Sequence, residues 1–289
     1  MSALPESLTP LSAADPRLTL ARGDLAEQAL EGIVCAAAYR PTRAMQCAVP
    51  AAPLRKAPDP AAEQQDQLVF GEIFEVLEVE GGFAFGRARR DGYVGWVPTE
   101  ALTAEVLAPT HRVSAIRTYA FAEPDMKAAS PVALTLNSLV TVEARNRRFV
   151  RVARTGWIPE AHLAALDEFD REPVAVAERF VGAPYQWGGR ESVGLDCSGL
   201  VQQALYACGR GCARDADQQE AELGEPIAPE TLRRGDLVFW NGHVGLMTDG
   251  ERLIHATGWH MAVVVEPLAD VVARMHEAGA GAPTAYRRL

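Results

Sequence analysis

The sequence predicts an α+β C-terminal domain preceded by two small all-β barrels. Three observations carry that reading. Short apolar stretches separated by turn residues occur in two runs that close alike, Gly95-Trp96-Val97-Pro98-Thr99-Glu100-Ala101-Leu102 and Gly156-Trp157-Ile158-Pro159-Glu160-Ala161-His162-Leu163. A shared close at the end of matching strand runs marks a duplicated unit. A charged hinge, Asp167-Glu168-Phe169-Asp170-Arg171-Glu172-Pro173, then introduces a part where helical periodicity precedes short strands.

The elements follow in chain order. Residues 1–44 are rich in proline and read as a lead-in, with one short helix expected around Asp24–Tyr39. Residues 45–106 form the first barrel. Its strand material is Leu68–Leu77, Phe83–Ala88 and Tyr93–Val97, turned at Gly81-Gly82 and Asp91-Gly92. Residues 107–170 form the second, with strands expected over Val140–Ala144, Phe149–Ala153 and Thr155–Ile158. In the C-terminal domain, 171–289, helices are expected over Val174–Phe180 and Cys197–Cys208, flanking a Gly- and Trp-rich loop at Gly182–Leu195. Strands follow at Leu237–Trp240, Val244–Thr248, Leu253–Ala256 and Ala262–Val265.

Composition narrows the function classes. The 289 residues suit two or three domains, and 48% apolar with 23% charged residues excludes wholesale disorder. A net charge of −10 repels phosphate backbones and anionic lipid, so neither nucleic acid nor membrane is an expected partner. Five unevenly spaced cysteines are not a disulfide framework. No basic start followed by an apolar run opens the chain, which makes a cytoplasmic location the expectation and a periplasmic or extracellular one the alternative.

The sharpest chemistry sits at Asp196-Cys197-Ser198-Gly199. Asp196 is a good helix N-cap, which puts Cys197 at the first helical position. There the helix dipole and free amides are expected to favour a thiolate and to stabilise an oxyanion. A lone cysteine on a helix is more often a buried structural residue. What shifts the balance is His243, opening a strand after Asn241-Gly242, and His255 on the next strand. Antiparallel strands joined through Asp249-Gly250 bring two imidazoles side by side, which suits a nucleophile, its base and an orienting group. The rival is a metal site, but a fourth ligand at zinc spacing is missing, so no metal is expected; nor is an organic cofactor, since Cys–His chemistry provides both nucleophile and acid.

These motifs carry a family resemblance. Gly182-Ala183-Pro184-Tyr185-Gln186-Trp187-Gly188-Gly189, Gly194-Leu195-Asp196-Cys197-Ser198-Gly199, Arg214-Asp215-Ala216-Asp217-Gln218-Gln219, Gly235-Asp236-Leu237-Val238-Phe239 and His243-Val244-Gly245 resemble, in order, the NlpC-type papain-like cysteine peptidases that cleave peptidoglycan stem peptides. The barrels resemble bacterial SH3-like domains, and the combination looks like the γ-D-glutamyl-L-diamino acid endopeptidases (dipeptidyl-peptidase VI) of murein peptide recycling.

The resemblance implies Cys197 as nucleophile, His243 as general base and His255 as the residue orienting it. It implies Tyr185 near the oxyanion, Asp196 and Ser198 along the substrate groove, and Asp215 at the substrate amine. It further implies that Glu72 and Tyr93 of the first barrel contribute to substrate binding. The implied substrate is L-Ala-γ-D-Glu-diamino acid, with L-Lys or meso-diaminopimelate as the diamino acid. An exported wall hydrolase and a non-catalytic muropeptide-binding protein are the alternatives. Two departures from the family pattern stand out: only two residues separate Trp240 from His243, and Ala216 stands where serine is common.

Overall fold

The structure, a computed structural model, describes residues 14–130 and 132–289. It divides into two compact units: one runs to Leu107 without residues 69–71, and the other holds Val69–Gly71 and Ala108–Leu289.

In the first unit, seven strands form one curled antiparallel sheet, in the order Leu102–Thr103, Arg43–Cys47, Ile73–Glu80, Phe83–Ala88, Val94–Pro98, Ala51–Arg55, Gln64–Val69. Cys47 Sγ donates to the Leu68 carbonyl at 3.6 Å, joining the second strand of that order to the last. The interior is apolar, built from Leu54, Leu68, Phe74, Val76, Tyr93 and Val97 among others. Each such side chain, fully buried, stabilises by roughly 1.5–3 kcal/mol before entropy is counted.

The helix expected over Asp24–Tyr39 does not form. Ala21–Arg22, Leu25–Glu27 and Ala38–Arg40 make a small sheet instead, with a single 3-10 turn at Gln28–Leu30. Two causes are visible. Gly32 adopts φ +82°, which no helix continues through. Leu20 and Leu25 are buried against Leu77, Phe85 and Trp96 on the outer face of the barrel, a gain that outweighs weak local helix propensity. Arg87 fastens the segment by donating to Glu27 at 2.6 and 3.1 Å.

In the second unit, residues 111–165 form three small sheets around Val113, Ala120, Leu134, Val140, Val150 and Ile158, rather than one continuous sheet. The close is the feature it shares with the first unit. Each Gly-Trp strand ends in a proline (Pro98 at φ −56°, ψ 129°; Pro159 at φ −55°, ψ 124°), followed by a 3-10 turn and a short strand.

The C-terminal part has an antiparallel sheet of six strands, in the order Glu225–Pro226, Ala285–Arg288, Asp236–Trp240, His243–Met247, Arg252–Thr257, Ala262–Pro267. Helices α1 (Pro173–Glu178), α2 (Cys197–Ala207), α3 (Ala216–Glu222) and α4 (Leu268–Glu277) pack with it. Helix α2 is buried along its whole length, in a core with Phe180, Leu237, Phe239, Val244, Leu246 and Ile254. The preceding β region is built onto this helix. Asn137 Nδ2 donates to the Gln203 carbonyl at 2.9 Å, Arg112 donates to the Ala207 carbonyl at 3.1 Å, and Leu136 enters the helix core. Helices α3 and α4 and the final strand were not among the expected elements. Among the described residues, no helix is long and apolar enough to cross a membrane.

Candidate active site

Helix α2 starts where its sequence says it should. Asp196 is its N-cap, extended in backbone (φ −98°, ψ −176°), and Oδ1 accepts from the Gly199 amide at 2.8 Å. Gly199 admits no side chain, since a Cβ there would lie 2.3 Å from the Gly189 carbonyl oxygen. That close approach presses the Gly188-Gly189 loop onto the first turn, and the Gly188 amide donates to Asp196 Oδ2 at 2.8 Å.

Cys197 follows the cap at the first helical position and is 6% exposed. The Val244 amide and the Ser198 amide hydrogen-bond the sulfur, and Val244 is the residue after His243. The helix terminus was expected to favour the thiolate. Burial instead pushes the Cys197 thiol up to about 12, and the Asp196 carboxylate adds to the rise. The two amides and Arg214 pull the other way without overcoming it. Cys197 therefore rests as a neutral thiol.

The imidazoles come from neighbouring strands. His243 Nε2 lies 2.8 Å from His255 Nδ1, the rings edge to face with centroids 5.0 Å apart. Strand register explains this. Leu246 stands opposite Ile254, so His243 and His255 are diagonal neighbours on one face of the sheet, within reach of aromatic side chains. The two-residue connection Asn241-Gly242, with Gly242 at φ +75°, makes the tight hairpin that pairs Trp240 with His243. Burial lowers His243 to about 3, helped by His255 and Arg274. His255 is 1% exposed and is lowered too, again by burial first. Thiol and imidazoles are all neutral at rest.

The relay continues one strand further, to a residue that sequence reasoning missed. His255 Nε2 lies 2.7 Å from Glu266 Oε1, and Arg274 of α4 donates to both Glu266 oxygens. Contacts with His255 and Arg274 hold the Glu266 carboxyl well below its ordinary range despite burial. No local pattern ties Glu266 to His255 eleven residues earlier. The helical spacing of Leu268, Val271, Val272 and Met275 was nevertheless a readable sign of α4, which delivers Arg274.

Residues 182–279 of this chain match the NlpC/P60 family, and residues 54–102 match the bacterial dipeptidyl-peptidase Sh3 domain. Residues 182–279 are thus an NlpC/P60 domain, a cysteine peptidase domain. Dipeptidyl-peptidase 6 of Lysinibacillus sphaericus is 35% identical over 89 residues, 31% of this chain and 33% of that protein. The γ-D-glutamyl-L-lysine dipeptidyl-peptidase of Bacillus subtilis (strain 168) is 25% identical over 236 residues, 72% of this chain and 77% of that protein. This chain thus spans a third of the first relative's length and about three quarters of the second's. In fold it is similar to the crystal structure of an NlpC/P60 family protein from Bacillus cereus ATCC 10987, with TM-score 0.71, 18% identity, and coverage of 85% of this chain and 99% of that one.

Near Cys197, Tyr185 is partly buried, and its loop is bound on both sides. Its amide donates to the Met261 carbonyl at 2.9 Å, and the Gln186 amide donates to the Leu195 carbonyl at 3.1 Å. Burial first, then Cys197 and Asp196, raise its phenol, which stays protonated and able to donate. Asp196 and Ser198 were expected along the groove, but both are buried, 6% and 4% exposed. Their polar atoms meet Arg214, itself 1% exposed: Nη1 reaches Asp196 Oδ1 at 3.0 Å and Ser198 Oγ at 2.7 Å, and Nη2 reaches Asp196 Oδ2 at 2.6 Å. Asp215, partly exposed, is the N-cap of α3, its amide donating to Gln218 Oε1 at 3.3 Å. Glu72 and Tyr93 belong to the first unit. Glu72 is 1% exposed and pairs with Arg90 at 2.8 Å, and Tyr93 is 2% exposed in the barrel interior. All five cysteines are free thiols.

Proposed function

We propose that this chain hydrolyses the amide between γ-D-Glu and the diamino acid of peptidoglycan stem peptides bearing a free N-terminal L-Ala, in murein peptide recycling. The observation that carries the reading is the buried thiol at a helix start, bonded by the amide of Val244, the residue after His243, whose ring meets His255 on the adjacent strand. The likeness to a protein named for γ-D-glutamyl-L-lysine peptides, over 72% of this chain, supports the substrate class.

The chemistry follows from the neutral resting state. As Cys197 Sγ attacks the γ-carbonyl carbon of D-Glu, its proton passes to His243, which a neutral imidazole can accept. The carbonyl oxygen gains the negative charge and is met by the Cys197 amide and the Tyr185 hydroxyl. The C–N bond breaks, and the imidazolium returns the proton to the departing amine. Water, deprotonated by His243, then cleaves the thioester, releasing L-Ala-γ-D-Glu and the thiol. Asp215 is the proposed partner of the L-Ala ammonium. The substrate roles of Glu72, Tyr93, Asp196 and Ser198 rest on sequence resemblance alone, and the SH3-like character of residues 107–170 rests on that resemblance and the repeated Gly-Trp close.

The test compares three substrates by mass spectrometry: free L-Ala-γ-D-Glu-diamino acid, its N-acetylated form and a sugar-linked stem peptide. Preference for the free amine is expected, and Asp215→Asn should narrow it by about 10-fold or more, in line with losing one partner of a charge pair. Equal cleavage of all three by wild type rules out the recycling assignment.

A further inference from the structure

We infer that Glu266 is a positioning residue that sets the tautomer of both histidines, so that His243 turns an unprotonated Nδ1 toward Cys197. The inference rests on the roles proposed above for Cys197 and His243, and it follows from donor and acceptor chemistry taken one contact at a time.

An ionised carboxylate only accepts. Glu266 is held ionised by Arg274, which donates to both of its oxygens, and His260 Nε2 lies 3.4 Å from Oε2. The 2.7 Å contact to Oε1 therefore requires the proton of His255 on Nε2. A neutral imidazole carries one proton, so His255 Nδ1 has only a lone pair. The 2.8 Å contact to that nitrogen must then be donated by His243 Nε2. His243 is neutral as well, which leaves its Nδ1 bare. That is the nitrogen not used in the relay, and a bare nitrogen is what a general base needs. Without Glu266 the sequence of constraints has no origin. His255 could then carry its proton on Nδ1 and donate to His243, leaving His243 Nδ1 protonated and unable to accept from the thiol.

The charged and titratable groups facing the relay come from three elements: Arg274 from α4, Glu266 from its strand, and His260 from the turn before that strand. The Trp240 ring covers His243 at 5.8 Å between centroids. This burial keeps both histidines neutral.

The test reads the tautomers directly. In 15N-histidine-labelled wild-type protein at pH 7, long-range 15N–1H spectra should show His243 and His255 protonated on Nε2. A proton on Nδ1 of either ring overturns the inference without any variant. Glu266→Ala should redistribute both rings toward Nδ1–H and lower kcat about 10–100-fold with little change in KM, as loss of an outer-shell partner does elsewhere. Glu266→Gln, whose amide oxygen can still accept from Nε2, should restore kcat to within about 5-fold of wild type. Unchanged spectra and kcat in Glu266→Ala overturn the inference. Absence of peptide cleavage by wild type would overturn the proposed substrate, while the 15N spectra would still decide the tautomers.

Discussion

Arg214 grips Asp196 through two nitrogen–oxygen contacts of 3.0 and 2.6 Å, both side chains buried next to Cys197. The same carboxylate caps helix α2 and accepts from the Gly188 loop, so one ion pair fixes the helix start and the loop beside it. Removing one partner of a buried pair leaves the other charge uncompensated, at a cost of about 3–5 kcal/mol. Arg214→Ala should lower stability by that amount, read as a shift in the urea midpoint at constant slope. A shift corresponding to less than 1 kcal/mol would mean that the pair is not structural.

The thiol, not the thiolate, is the resting form of Cys197, its ionisation pushed up to about 12 by burial. Below that value the thiolate fraction grows about 10-fold per pH unit. The rate of Cys197 carboxamidomethylation in the folded protein should therefore climb continuously from pH 7 to 10. A plateau below pH 8 would indicate a thiolate–imidazolium pair instead.

Acid should destabilise the protein through its histidines. Burial lowers His243 to about 3 from an ordinary value of 6.5, and His255 shifts in the same direction. Between those two pH values the unfolded chain binds a proton that folded His243 refuses, so unfolding becomes easier as pH falls. The contribution is complete above pH 6.5 and is lost toward pH 3, at a slope of up to about 1.4 kcal/mol per pH unit for each proton. His243→Gln should have a shallower dependence of the urea midpoint on pH between 6.5 and 4 than wild type. Identical slopes would contradict the shift.

Gly199→Ala should be destabilising by about 1–3 kcal/mol, the usual cost of overpacking. The obstacle is the backbone oxygen of Gly189 at 2.3 Å from the added Cβ, which no side-chain rotation relieves. Thermal melts of the purified variant provide the check. An unchanged midpoint would show that the loop yields freely.

Much of the site was legible because its signals are local. Asp196 before Cys197 announces a capped helix, Asn241-Gly242 a hairpin, and apolar alternation the strands that carry His243 and His255. The structure has each of these elements. What was not legible depends on partners far along the chain. Glu266 lies near the end of an ordinary strand, and nothing within that strand reports that Arg274 will reach it from α4. The same holds for Arg214, whose burial against Asp196 is decided by tertiary packing. Two expectations erred because packing overrode a local preference. The helix dipole at Cys197 is outweighed by desolvation, and the helix expected at Asp24–Tyr39 gives way to the burial of Leu20 and Leu25 on the barrel.

The most direct test of the central claim follows the fate of one bond. L-Ala-γ-D-Glu-meso-diaminopimelate and its L-Lys counterpart are incubated with wild type and with Cys197→Ala, and the products are read by mass spectrometry. The account predicts L-Ala-γ-D-Glu and free diamino acid from at least one peptide with wild type. It predicts no product above background with Cys197→Ala, since triad members act as a unit. Intact peptides in every incubation, or equal cleavage by the two proteins, would contradict it.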